Sequence, residues 1–498
     1  MSSPLFATTG RVLFCCSAAF SLPLMAQESP LDRSFNADHY WSGGPGWATI
    51  PFDHPGRSAH DAAMSMFTRS DGTMIIAGLA GRDSAAGNSG LLAAVSLNTN
   101  GSANSNWSSA ADLRGGALTG RITWSHLDDQ VHAAPIFDAS AEPDIVFSGS
   151  GRVGTATLVN QAKYFSVTSR GRTITGGLGI CELHAGGAAR DFHALGLRMR
   201  NDVATLAGYV RRSSDGAYLP AACDLSGGVN KTQTVSDSLP GFPTGTIGAL
   251  GVAPHYSSWN FPVIYSRRLI RTVSGITNQD AILCNPGAGQ YYPSTYDNCA
   301  VFQPNIGGHL DDVLHSVKIS GITTVTGLIE SQAQSSPGVG SDRTVLTIAR
   351  PPYYNVEWNG IATSRPAQQQ TFSLSDATSP SASLSFHYPR AVDDYRNGGT
   401  LWVVMALRPF PGPDEFREIA VARFTFADLT LDTTFGGGTG WRRYSLGGAE
   451  VMPSAVDLDN QGRLVIAGSR RQSPDSDNWD FFVMRINDDA IFDDGFSG

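Results

Sequence analysis

Lysine is nearly missing from this chain: Lys163, Lys231 and Lys318 are the only three in 498 residues. Arginine therefore supplies most of the positive charge, acidic residues outnumber basic ones by 44 to 35, and the formal net charge is −9. No basic tract of five or more residues occurs. Binding to nucleic acid or to an anionic membrane surface needs such a tract, so neither is expected. Charged residues of both signs make up only 16% of the chain, too few for many helices with charged outer faces. Past residue 26 no apolar run is long enough for a membrane helix, so no membrane insertion is expected. Cysteine is scarce at six, and no CxxC occurs, which leaves a zinc ribbon or a thioredoxin-like site without support.

Glycine, by contrast, is abundant at 55 residues. It punctuates short apolar runs of strand length. In the last 68 residues, Ser454–Leu458, Arg463–Ala467 and Phe481–Ile486 are separated by Asp459-Asn460-Gln461-Gly462 and by Gly468. Asn, Asp and Gly tolerate the positive φ of tight turns, so these runs read as β-strands. The stretch begins Leu431-Asp432-Thr433-Thr434-Phe435 and ends Ile491-Phe492-Asp493-Asp494-Gly495-Phe496, almost returning to its own start, which marks a repeat. Seven second strands can be anchored at a small residue: Gly78, Gly149, Gly208, Ser266, Gly327, Ala406 and Gly468, spaced 58 to 79 residues apart. A third strand follows each, with cores at 91–97, 180–183, 221–225, 281–285, 346–350, 420–424 and 482–486.

Both chain ends resemble the delta-60-repeat family of secreted bacterial β-propellers, whose repeat runs LDxSFGxxGxV, AxAVxxQxDGKIVVAG, FAVARYNxDGSLD. The final unit carries Leu431, Asp432, Phe435, Gly436, Gly440, Ala455, Asp459, Gly462, Gly468, Phe481, Arg485, Asn487 and Asp488 of that pattern; the first carries Leu31, Asp32, Ser34, Phe35, Asp71, Gly72 and Gly78. The central half keeps only the rhythm. The resemblance implies an architecture and no single activity. The expected fold is all-β, a seven-bladed β-propeller of antiparallel sheets in one domain over 27–498. Residues 46–52 are expected to join the last blade, pairing an edge otherwise open to another chain.

Residues 1–26 read as a secretory signal: Arg11 as the positive flank, a short apolar stretch from Val12 to Leu24, and small residues before Gln27. The mature chain is expected in the periplasm, at the cell surface or outside the cell, as a monomer. Cys15 and Cys16 leave with the signal. Of the remaining four, Cys284 and Cys299 flank a turn-rich loop and are expected to form a disulfide, leaving Cys181 with Cys223. On the repeat alignment Cys181 and Cys223 hold equivalent third-strand positions in neighbouring blades, which stretches that second pairing.

Candidate chemistry lies in the middle. His126-Leu127-Asp128-Asp129 precedes His132, and His309-Leu310-Asp311-Asp312 precedes His315, with His193 at the comparable start of another first strand. First strands of a propeller line its axis. His132, His193 and His315, with Asp129 and Asp312, could therefore hold a divalent metal at a central opening. The competing reading is inherited repeat structure, in which acids just before a first strand, as Asp393, Asp394 and Glu450 are expected to be, bond neighbouring turns. Tyr256, Trp259, Tyr291 and Tyr292 form an aromatic group that could stack on sugars or peptides, or pack in a core. Asp457–Gly462 resembles half a calcium loop without the distal Glu and reads as a turn. The leading functional reading is a secreted, non-catalytic binding module for a polysaccharide, a peptide or a surface protein. The alternative is a propeller polysaccharide lyase or other carbohydrate-active enzyme: residues 128–138 resemble first-strand sequences of such lyases, with His132, Arg152 and Tyr164 as its residues.

Overall fold

Alternating apolar residues with glycine-rich turns produce antiparallel sheets throughout. The computed structural model describes residues 31–52, 59–83 and 89–107, the strands between 121 and 365, and 366–487 except 373–382, 395–398, 411–414, 448–449 and 474–477; side chains are described chiefly in 31–107 and 326–487. Among the described residues there is no helix, and every strand ladder is antiparallel. No helix in them is long and apolar enough to cross a membrane.

The described strands form seven sheets of four or five strands and two short hairpins. The first sheet runs Ala62–Thr68, Met74–Asp83, Ser89–Leu97 and Arg121–Leu127. The second runs Val131–Pro135, Ile145–Val153, Val159–Val167 and Gly179–Cys181. The third, fourth and fifth begin at Phe192–Arg200, Ile247–Pro254 and Asp312–Ser320. The sixth runs Ser383–Asp394, Thr400–Phe410, Glu418–Thr425 and Trp441–Tyr444. The seventh runs Glu450–Leu458, Leu464–Arg471 and Trp479–Ile486, then takes Trp47–Ile50 and Ser42–Gly44 from the other end of the chain. Each first strand touches the first strand of the next sheet, and Glu450–Leu458 touches Ala62–Thr68.

All seven anchor residues fall in second strands. Gly468 shows why one of them is small: a Cβ there would lie 2.2 Å from the Met452 carbonyl oxygen and 2.6 Å from Phe482. Two expectations are corrected. Residues 180–183 do not form the third strand of the second sheet; Val159–Val167 does, and Cys181 lies in the fourth strand. The nine-residue strand Val159–Val167 carries the pairing, so Cys181 and Cys223 are not equivalent. Asp393 and Asp394 do not precede the sixth first strand but end it.

Strand Trp47–Ile50 pairs with the last strand from Trp47 opposite Met484 to Ile50 opposite Phe481. The segment before it repeats the backbone bonds of the segment that joins the third and fourth strands of the sixth sheet. Asp32 N–H donates to the Arg485 carbonyl as Asp432 N–H does to Arg423. Phe35 and Gly46 then repeat the turn made by Phe435 and Gly440, and Gly46 and Gly440 accept the N–H of Arg485 and Arg423. The guanidinium of Arg485 sits 5.0 Å over the Phe35 ring, and that of Arg423 sits 5.4 Å over Phe435. Phe35, Ile50, Phe52, Met66, Ile76, Val465 and Phe481 form one buried cluster between the first and seventh sheets. Burying each such side chain contributes roughly 1.5–3 kcal/mol, less the entropy of ordering it.

Candidate functional site

The sequence Ser385-Phe386-His387-Tyr388-Pro389-Arg390 starts as an ordinary strand: Leu384 and Phe386 are buried in the core shared by the fifth and sixth sheets. Pro389 cannot donate to the ladder, and a residue before proline avoids the helical region. The register accordingly breaks. His387 faces Ala406 and Arg390 faces Val404, so Tyr388 and Pro389 together stand opposite Met405 and one residue is extra. Five other first strands shift at a comparable place by one residue, at Met64, Leu195, Leu250, His315 and Ser454. In the sixth sheet the same one-residue shift spans Tyr388 and Pro389. It puts Tyr388 at φ +54°, a left-handed conformation rare for a bulky side chain.

Glu330 holds the bulge from the neighbouring sheet. Its Oε1 accepts the Tyr388 backbone N–H at 2.5 Å, and its Oε2 lies 3.4 Å from His387 Nδ1. The opposite imidazole nitrogen, Nε2, is buried and has no hydrogen-bond partner. Phe416 stands edge-on to both rings, 5.1 Å from His387 and 5.5 Å from Tyr388, while the two rings lie 6.2 Å apart. The Phe416 carbonyl accepts the N–H of Val451, tying this loop to the seventh sheet. Arg390 donates from Nε to the Ser454 carbonyl at 2.8 Å and from Nη1 to the Pro389 carbonyl at 3.0 Å. Burial pushes its guanidinium down in pKa, against the pull of Glu330.

Glu330, Arg408 and Arg471 each follow the small anchor of their own strand by two or three residues, so the same end of three consecutive sheets converges here. Burial raises the Tyr388 phenol above its usual range, aided by the charges of Glu330 and Glu450 and opposed by Arg408. Tyr388 therefore stays protonated at neutral pH. Glu450 pairs with Arg471 at 2.6 Å. Arg471 in turn lies over Trp479, which stacks on His60 at 5.8 Å.

The residues singled out from sequence lie elsewhere. His132 and Tyr164 both face Ser148, one on either side, and so sit about 10 Å apart by two inter-strand spacings. Arg152 faces Asn160, four residues further along. His132 faces the residue before its sheet's anchor glycine, His193 faces the residue after, and His315 lies in a register shift. The three do not share one register. Asp312 is buried opposite Ser331. Asp129, Tyr256, Trp259, Tyr291 and Tyr292 lie outside the described residues. Among the described residues no group of three or more His, Cys, Asp or Glu stands ready to hold a metal ion. Asp459 is engaged as a turn residue, accepting the N–H groups of Gln461 and Arg463 at 2.9 Å. Cys284 directly faces Cys299 across the ladder, whereas Cys223 faces Leu206 and Thr232.

His387, Tyr388 and Glu330 were not singled out from sequence. The available signal was Tyr-Pro inside a strand pattern, which announces a bulge.

No family model matches the chain, and no curated protein matches it. Solved structures similar to it include the GH93 α-L-arabinofuranosidase of Fusarium graminearum with arabinobiose, at 12% identity over 88% of this chain and 97% of that one, TM-score 0.42. The N-terminal domain of Nup159 is similar at 9% identity over 89% and 96%, TM-score 0.36. A GH32 β-fructofuranosidase of Bombyx mori is similar at 13% identity over 88% and 90%, TM-score 0.31.

Proposed function

We propose that this chain is a seven-bladed β-propeller of the delta-60-repeat kind, closed by its N-terminal strand, exported by residues 1–26, and acting as a monomeric binding module for a polysaccharide. What supports the ring is the order in which the first strands touch, together with the pairing of Trp47–Ile50 with Phe481–Met484. What carries the ligand class is Tyr388. A bulge and a neighbouring carboxylate hold this ring in a rare backbone conformation beside Phe416, flanked by Arg408 and Glu450. Aromatic faces bordered by charged hydrogen-bonding groups suit the alternating apolar and hydroxyl surface of a sugar ring. Backbone strain is retained where the surroundings hold it for a task.

A polysaccharide array probed with the mature chain, 27–498, tests this. Binding to at least one polymer is expected, weakened about tenfold or more by Tyr388→Ala with an unchanged melting temperature. Absence of binding to every polymer, or a folded Tyr388→Ala that binds as well as the parent, overturns the reading.

A further inference from the structure

We infer that the joint between the chain ends has a second occupant: residues 492–496 compete with residues 31–35 for one site around Arg485, and the ring opens by their exchange. The motif that seats there is present three times in the sequence. Leu31-Asp32-Arg33-Ser34-Phe35 and Leu431-Asp432-Thr433-Thr434-Phe435 recur as Phe492-Asp493-Asp494-Gly495-Phe496, with Phe in place of the leading Leu. Residues 492–496 lie outside the described residues, but the site such a segment fits is seen twice.

The two seated copies show what each position does. The leading Leu bridges the residue after the arginine, Leu31 to Ile486 and Leu431 to Phe424. One carboxylate oxygen takes the guanidinium, at Asp32 from Arg485 and at Asp432 from Arg423. The other accepts the N–H and hydroxyl two residues on, at 3.0 and 2.6 Å from Ser34 and at 3.0 and 2.7 Å from Thr434. Phe35 and Phe435 are fully buried beneath the guanidinium. Asp493 and Phe496 repeat the two residues that hold the arginine. Leu31 and Leu431 are half-buried, so that position admits the larger Phe492, and the exposed place of Arg33 and Thr433 admits Asp494.

Reach agrees with this. In the sixth sheet the occupant follows directly from the sheet's own third strand, with Asp432 nine residues after Arg423. Asp493 stands eight residues after Arg485, one fewer in the turn. So short a tether gives the C-terminal copy a high effective concentration at the site. Two differences nonetheless favour residues 31–35. Gly495 has no hydroxyl, whereas Ser34 Oγ accepts from Arg485 Nη2 at 3.2 Å. Residues 31–35 also bring Trp47–Ile50 to the edge of Trp479–Ile486. The C-terminal copy is thus the weaker occupant. When it seats, Asp493 replaces Asp32 beside Arg485 and Arg463, so the joint opens without stranding a buried charge.

Hydrogen exchange at the backbone amides of Trp47–Ile50 in the mature chain, 27–498, tests this without any ligand. Phe35→Ala should speed that exchange at least about tenfold, because the C-terminal copy now displaces the weakened one. Adding Phe496→Ala removes the competitor and should slow the exchange again by about tenfold, an opposite sign that a merely structural Phe496 would not give. If Phe35→Ala does not fold, Ser34→Ala, which removes only the hydroxyl shared by Asp32 and Arg485, takes its place with the same expectations. A double variant that exchanges as fast as the single one, or faster, overturns the inference. So does unchanged exchange in both Phe35→Ala and Ser34→Ala.

Discussion

Asp32 and Arg485, separated by 453 positions in sequence, meet at 2.7 Å in a buried ion pair. Arg463 donates to the same carboxylate at 2.8 Å and to Asp459 at 2.7 Å, and Arg485 lies 3.6 Å from Asp459. Two carboxylates and two guanidiniums thus balance inside the joint between the chain ends. The Thr99 carbonyl, two residues past the first sheet's third strand, accepts a further Arg485 hydrogen bond.

Breaking that balance should weaken the joint more than any surface change. Asp32→Asn leaves Arg485 buried with its nearest charge removed, and breaking a buried pair from one side costs about 3–5 kcal/mol. The double variant Asp32→Asn, Arg485→Met should cost less than the sum of the singles, since the stranded charge goes too. Denaturant unfolding checks this. An Asp32→Asn protein within about 0.5 kcal/mol of the parent would show that the joint does not depend on the pair.

Acid should loosen both copies of the motif. Burial alone would raise Asp32, but the Ser34 hydrogen bonds and the charges of Arg485 and Arg463 outweigh it and hold the carboxyl below 3.8. At Asp432 burial is likewise outweighed, by Thr434 and Arg423. Depressed carboxylates stabilise fully above their unfolded value, and that stabilisation is lost as pH falls through the folded one. The melting temperature should therefore hold between neutrality and about pH 5 and drop below about pH 4. The drop should be shallower in Asp432→Asn. Parallel curves for the parent and this variant would remove Asp432 from the account.

Cys284 and Cys299 should be oxidised to one another when the chain folds under oxidising conditions. They face each other directly across adjacent antiparallel strands, where Cβ atoms lie about 4.5–5.5 Å apart before adjustment. Alkylation without reduction, followed by peptide mass analysis, should recover the two as one linked fragment. Two separately alkylated cysteines would refute the pairing. Cys181 and Cys223 occupy different strand positions in different sheets, and no equivalent link is expected between them.

Much of the architecture is legible because it is written locally. Alternation of apolar residues and a small residue in the second strand, as at Gly468, recur from unit to unit. The echo between Leu31–Phe35 and Leu431–Phe435 told where the first segment belongs, because like sequences meet like partners: Asp32 finds Arg485 as Asp432 finds Arg423. The second sheet misled, since its third strand carries polar Asn160, Gln161 and Lys163 within the apolar pattern.

The sequence by itself determined strands, their order and the residues that bind the first segment to the last sheet, since period-2 patterning and repeated motifs act over a few residues. Only the tertiary structure decided where His387, Tyr388 and Glu330 meet. Glu330 and Tyr388 stand 58 positions apart, and strand periodicity says which face a residue takes but not which neighbouring sheet end it confronts. The bulge at Tyr388-Pro389 sets that encounter, through a register break whose partner is supplied by packing between sheets.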